Sequence, residues 1–274
     1  MIAFLLAQQL FANPGQTFTT PAPIVTPSRA PLSERGVLDA RLADAAARAQ
    51  ALGGTLGVVV IDTATGVTAE RNALSVMQLA GVQNVAIALA AYEQVDRHHL
   101  TLDRTLGATI ARTLDGGDPA AVAALVQTLG GVGQIDASLR DDGLDGITLA
   151  EDGRATGSAR TVATLFTKLF QGDLLSPSSR TALVAALARV KSLPGGLRAG
   201  FPPRTFVAHA AGVLRGTGDV AEATSDAGIV TVNGRTLVVV ALLQHAHGGD
   251  AARAAVIADI ARAVDEATKL FPLQ

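Results

Sequence analysis

The chain has 274 residues, 49% of them hydrophobic and 17% charged, with a formal net charge of −2. That is enough apolar material for a large core, and so little net charge gives no electrostatic case for a nucleic acid or an anionic membrane surface as partner. Cysteine is absent, which excludes disulfides, thiol nucleophiles and thiolate metal sites.

The N-terminal run MIAFLLAQQLFA, ahead of Asn13-Pro14-Gly15, reads as the apolar part of an export signal, although no Lys or Arg precedes Arg29. It is too short to cross a bilayer as a helix. Export to the periplasm or cell surface is the expectation, a cytoplasmic location the alternative. Residues 13–33 are rich in Pro, Thr, Ser and Gln without a period, the signature of a linker.

From Gly36 to Leu52, Leu38, Leu42, Ala45, Ala46 and Ala49 recur at helical spacing, and Gly53-Gly54 ends the helix. Leu56–Ile61 is a β-branched run expected as a central strand, followed by a turn at residues 63–66 and a return strand. Val82–Val95 carries almost no charge before Glu93, so it reads as a helix buried on every side. Gly81 is the expected N-cap. Further helices are expected at 119–129, 159–170 and 178–190, with Asp118 or Pro119 at the start of the first, Ser158 capping the second and Ser178 capping the third. Residues 201–243 read as three strands, with Asn233-Gly234 as a hairpin turn. A final helix runs from about Asp250 to Leu270.

Three segments carry a resemblance. FPPRTFVAHAAGVLRGTGDVAEATSDAGIVTVNGRTLVVVALL (201–243) resembles the strand that bears Lys-Thr-Gly in the penicillin-recognising serine hydrolases, with the two strands after it. SARTVATLFTKLFQGDLLSPSSRTALVAAL (158–187) resembles the helix–turn–helix before that strand, and YEQVD (92–96) the end of the buried central helix. This family comprises the class A β-lactamases and DD-peptidases. The resemblance implies an α+β, β-lactamase/transpeptidase-like fold, with a five-stranded antiparallel sheet flanked by terminal helices, plus an all-helical lobe. Residues 1–35 would be signal and linker, 36–74 with 201–274 the α/β lobe, and 75–200 the helical lobe.

The family's chemistry needs a serine nucleophile, a base for its proton, oxyanion donors and a cation for the substrate carboxylate. Counting back from Tyr92–Asp96, the serine of Ser-x-x-Lys falls on Gly81 and its lysine on Asn84. Ser-Asp-Asn falls on Gly116, Gly117 and Asp118. Lys-Thr-Gly falls on Ala210, Ala211 and Gly212, preceded by His209. No Glu-x-x-Leu-Asn pattern lies between Leu139 and Thr156, where Glu151 is the glutamate present. The expectation is a non-catalytic binding or structural homologue that recognises a cell-wall peptide or a protein partner, without metal or cofactor. The alternative is an active hydrolase with a relocated nucleophile, for which Ser75 is the nearest hydroxyl. His245-Ala246-His247 with Asp250 approaches a metal-ligand spacing but places the aspartate one residue too far.

Overall fold

The computed structural model describes residues 33–116, 118–191, 193 and 195–272; the N-terminal run, the linker to residue 32 and Gly117 lie outside them. Helix α1 (Glu34–Ala51) starts where the Ser33 hydroxyl accepts the Gly36 N–H, and it buries Leu38, Leu42, Ala45 and Ala49 along one stripe. Strand β1 (Thr55–Asp62) follows, then β2 (Thr68–Arg71) and the short β3 (Val76–Gln78). Next come α2 (Asn84–Asp96), α3 (Arg104–Leu114), α4 (Pro119–Thr128) and α5 (Val132–Asp141). The strands β4 (Thr148–Leu149) and β5 (Ala155–Ser158) lead into α6 (Ala159–Gln171), α7 (Pro177–Leu187) and α8 (Leu197–Gly200). The chain closes with β6 (Phe206–Arg215), β7 (Ala221–Val232), β8 (Arg235–Ala246) and α9 (Gly249–Leu270).

Five strands form one antiparallel sheet in the order β2-β1-β8-β7-β6, with β6 at its edge. Alternation along each strand sends side chains to opposite faces, and each face has its own core. On one face Val58, Val60, Val230 and Val239 pack with Leu38 and Leu42 of α1 and with Ile257, Ile260 and Val264 of α9. On the other Val59, Ala208, Ala210, Ala227, Val238 and Val240 pack against α2 and α6 through residues such as Ile87, Leu89 and Phe166. The β7–β8 hairpin turns on Asn233 (φ 50°) and Gly234 (φ 76°), the left-handed pair that a two-residue turn of this kind requires.

Where the helices start differs from expectation at two places. Ser176, not Ser178, caps α7, with Pro177 in the first helical position. Helix α2 begins at Asn84 with Gln83 before it, not at a Gly81 cap. Ala80 (φ 43°) and Gly81 (φ 97°) are both left-handed, and the next residues close short turns, Asn84 N–H to Gly81 O and Val85 N–H to Val82 O, before the helix is established. Asp118 and Ser158 cap α4 and α6. The expected helical region also holds a second sheet, β3-β5-β4, with strands of two to four residues.

A buried ion cluster fastens the terminal helices to the sheet. Arg235, 1% exposed, donates from Nε to Asp62 at 2.6 Å, from Nη2 to Glu34 at 2.6 Å and from Nη1 to the Phe271 carbonyl at 2.8 Å. Burial pushes the Asp62 carboxyl up, but the N–H groups of Thr65 and Ala64 and the Arg235 guanidinium outweigh it and hold the group below its ordinary value.

Candidate functional site

An open cleft of about 700 Å³ lies between the edge strand β6, the approach to α2, the α3–α4 loop with α4, and the β4–β5 turn. Gly81, Asn84, Gly116 and Gly212 all line it, so the structure brings together positions that are far apart in sequence. They meet by backbone contact. A Cβ on Gly81 would lie 3.0 Å from the Ala211 carbonyl oxygen, and one on Gly116 would lie 3.2 Å from the same atom. A Cβ on Gly212 would lie 2.2 Å from the Ala80 carbonyl oxygen. Glycine at 81 is thus required twice, by its positive φ and by the approach of β6.

Side-chain amides hold this arrangement. Gln83 Oε1 accepts the Gly81 N–H at 2.7 Å, while Gln83 Nε2 donates to the Gly153 carbonyl at 3.3 Å, joining the start of α2 to the β4–β5 turn. Asn84 is 3% exposed, and its Nδ2 donates to the Thr113 carbonyl at 2.7 Å. That bond fixes the amide orientation and leaves Asn84 Oδ1 buried without a partner, as is Gln78 Oε1.

The remaining predicted positions fall elsewhere. Asp118 is not among the lining residues; its carboxylate accepts the Ala121 N–H at 3.0 Å and sits 3.7 Å from Arg112. Ala210 is fully buried in the core beneath the sheet. Ala211 reaches the site through its carbonyl alone. His209, expected at the cleft, shares the strand parity of Val207 and so faces the terminal helices. Its Nδ1 donates to Asp226 at 2.6 Å, and Asp226 also accepts the Leu197 N–H at 2.9 Å. Ser75 is exposed and outside the cleft. His247 pairs with Asp219 at 3.2 Å, and Asp250 binds Arg215 and Arg253. No group of three His, Cys, Asp or Glu that could hold a metal occurs among the described residues.

Sequence reasoning missed Gln78, Gln83 and Arg154 as lining residues. Arg154 bonds Asp152 at 2.6 Å, and Glu151 stands beside them. The described lining residues carry no hydroxyl, amine or imidazole; their polar side chains are amides, two carboxylates and one guanidinium.

The sequence profile of the β-lactamase enzyme family matches residues 38–117 and 105–268. The chain belongs to the β-lactamase enzyme family. Among solved structures it is similar to a β-lactamase from Chitinophaga pinensis, with TM-score 0.78, 23% identity, and coverage of 84% of this chain and 99% of that one. An ancestral class A β-lactamase aligns with TM-score 0.75 and 28% identity over 84% of this chain and 99% of its own. A β-lactamase from Xanthomonas campestris aligns with TM-score 0.76 and 22% identity over 86% and 99%. Comparison with the curated proteins finds no match. The α+β fold, with its five-stranded antiparallel sheet and packed helices, is that of the class A β-lactamases. No described helix is long and apolar enough to cross a membrane.

Proposed function

We propose that this β-lactamase-family protein is a non-catalytic homologue that uses the cleft to bind a peptide-like ligand, a cell-wall peptide or a segment of a protein partner. The observation that carries the reading is the backbone closure at Gly81. The resemblance puts the attacking serine there, and a Cβ at that left-handed position would lie 3.0 Å from the Ala211 carbonyl oxygen of β6, tighter than side chains ordinarily pack. The backbone N–H at that point is held by Gln83 and is not free to stabilise an oxyanion. Loss of such a nucleophile in a serine protease costs on the order of 10⁶-fold in turnover, about 8 kcal/mol of barrier.

Retention of the cleft supports a binding role. Residues 212–214 belong to a strand that pairs with β7 alone, so its outer edge at the cleft suits an extended chain. The apolar run at 1–12 supports action outside the cytoplasm; the N-terminal residue of protein recovered from the periplasm or medium tests that part.

The test of the main reading is incubation with a labelled β-lactam followed by intact mass. The expected spectrum is that of the unmodified chain. A stoichiometric acyl adduct would overturn the proposal, and loss of that adduct in Ser75→Ala would identify a relocated nucleophile.

A further inference from the structure

The binding reading leaves the chemistry of the occupant open. Resting on it, we propose that the cleft selects ligands that present N–H groups and are neutral or cationic, and that it excludes anionic ones.

The backbone donors at the helix starts beside the cleft are already occupied. A helix start ordinarily favours an anion through its free N–H groups. Here the N–H groups of Asn84, Val85, Ala86 and Ile87 are bonded to the carbonyls of Gly81, Val82, Gln83 and Gln83. The Gly81 N–H bonds Gln83 Oε1, and the Gln83 amide N–H bonds the Gly153 carbonyl. At the start of α4, the Ala121 N–H is held by Asp118.

The acceptors are not. Asn84 Oδ1 and Gln78 Oε1 both lack partners, on residues that line the cleft. A buried acceptor without a donor is costly, so a small turn of either side chain toward the cleft would let a ligand N–H satisfy it.

Charge points the same way. Arg154 is the one cation among the described lining residues; it bonds Asp152 at 2.6 Å and lies 3.9 Å from Glu222. Glu151 is exposed and has no ion-pair partner among the described residues. An incoming carboxylate would meet a carboxylate and unpaired carbonyls, with no free cation to offset its desolvation. An ammonium or amide would meet complementary groups.

Three dipeptide probes of one size separate these cases: alanyl-alaninamide (cation), N-acetylalanyl-alaninamide (neutral) and N-acetylalanyl-alanine (anion). Each is titrated into the ¹⁵N-labelled full chain to roughly 20 mM, a range that reports millimolar affinities. The backbone amides of Gly81, Gly153 and Gly212 and the side-chain amides of Gln78 and Asn84 are followed. The expected result is saturable shifts with the cation and the neutral amide and none with the anion. Glu151→Lys, a change at an exposed turn position, should weaken the cation about fivefold and leave the neutral probe unchanged, as removal of a solvated charge pair does. An anion that binds as tightly as the cation overturns the inference and leaves the non-catalytic reading standing. Absence of shifts with all three probes also overturns it. A covalent adduct in the β-lactam experiment removes the reading on which it rests.

Discussion

Replacing Glu93 by glutamine should make the protein more stable at neutral and alkaline pH. Glu93 sits near the end of α2, 4% exposed, and accepts a hydrogen bond from the Ser138 hydroxyl. Arg97 lies 3.6 Å away at the surface, and Glu93 Oε1 and Asp142 Oδ2 are both buried without partners. Burial is the main cause that pushes the Glu93 carboxyl up to about 8, followed by the neighbouring Asp142 carboxyl; Ser138 and Arg97 pull the other way. A raised carboxyl pKa stabilises the fold fully below the unfolded value of 4.5 and loses that stabilisation as pH rises toward about 8. Each unit is worth about 1.4 kcal/mol, so by pH 7 the loss is roughly 3 kcal/mol, of which solvent reaching the group beside Arg97 leaves about 2. Glutamine keeps the shape, keeps an acceptor for Ser138 and has no proton to lose. Urea midpoints of the parent and Glu93→Gln, followed by circular dichroism between pH 5 and pH 8.5, should converge at the acid end and separate in favour of the variant at the alkaline end. Carboxylates that do not interact with Glu93 contribute equally to both proteins and cancel. A difference in stability that does not change across that range would refute the reasoning.

Arg235→Met should cost about 3–5 kcal/mol, because it leaves Asp62 as a buried unpaired carboxylate, and adding Asp62→Asn should recover much of the loss in thermal melts. Asp96→Ala removes the carboxylate that accepts Ser176 N–H, Ser176 Oγ and Ser179 Oγ at 2.8, 2.7 and 2.6 Å; unfolding should be easier by roughly 2–3 kcal/mol, the scale of charge-assisted hydrogen bonds. Those bonds outweigh the burial that opposes them and hold the Asp96 carboxyl low. Its contribution is therefore present above the ordinary carboxylate range and lost only as pH falls through the depressed value, the opposite of Glu93. Gly81→Ser should not restore acylation in the intact-mass assay and should destabilise the fold by about 2–3 kcal/mol, from the left-handed backbone and the tight Ala211 contact together.

What the sequence made legible follows from length and period. The stripe in α1, the all-round burial of α2, the β-branched β1 and the Asn233-Gly234 turn each carry a pattern longer than local noise, and each element formed within a few residues of its expected place. Strands β3, β4 and β5 span two to four residues, too short to display alternation. Helix α3 had a readable signal that went unused, an Asp103 cap ahead of buried Ile110 and Leu114. Helix α5 opens at Gly131 (φ 91°), in a glycine-rich stretch with no polar side chain capping the helix start. At the site, the meeting of Gly81, Gly116 and Gly212 follows from the register with the family. The role of Gln83 was not accessible, because its bonds run to Gly81 and to Gly153, and nothing local in the sequence pairs those residues. His209 shows the limit of reading position without parity: one residue of shift along β6 exchanges the cleft side of the sheet for the terminal-helix side.

On the register of the resemblance several departures from the family's motifs occur together, and the cost of buried charge gives a physical reason for that. A network of lysines, serine and carboxylate holds polypeptide segments apart with hydrated or paired ions. Removing one member alone strands a charge in a dry place. Removing the whole set strands none, and glycine is the residue that permits the closest approach of two backbones. Here the segments meet at Ala211 O, Gly212 and Ala80 O. Any single reversion is opposed. A serine at Gly81 enters a left-handed backbone against β6, and a lysine at Ala210 would begin from a position with no exposure at all. Asn84 Nδ2 donates to the Thr113 carbonyl, and the bridging amide of Gln83 accepts the Gly81 N–H, which an ammonium could not do. The cleft keeps a volume of about 700 Å³ while its polar side chains are amides, two carboxylates and one guanidinium.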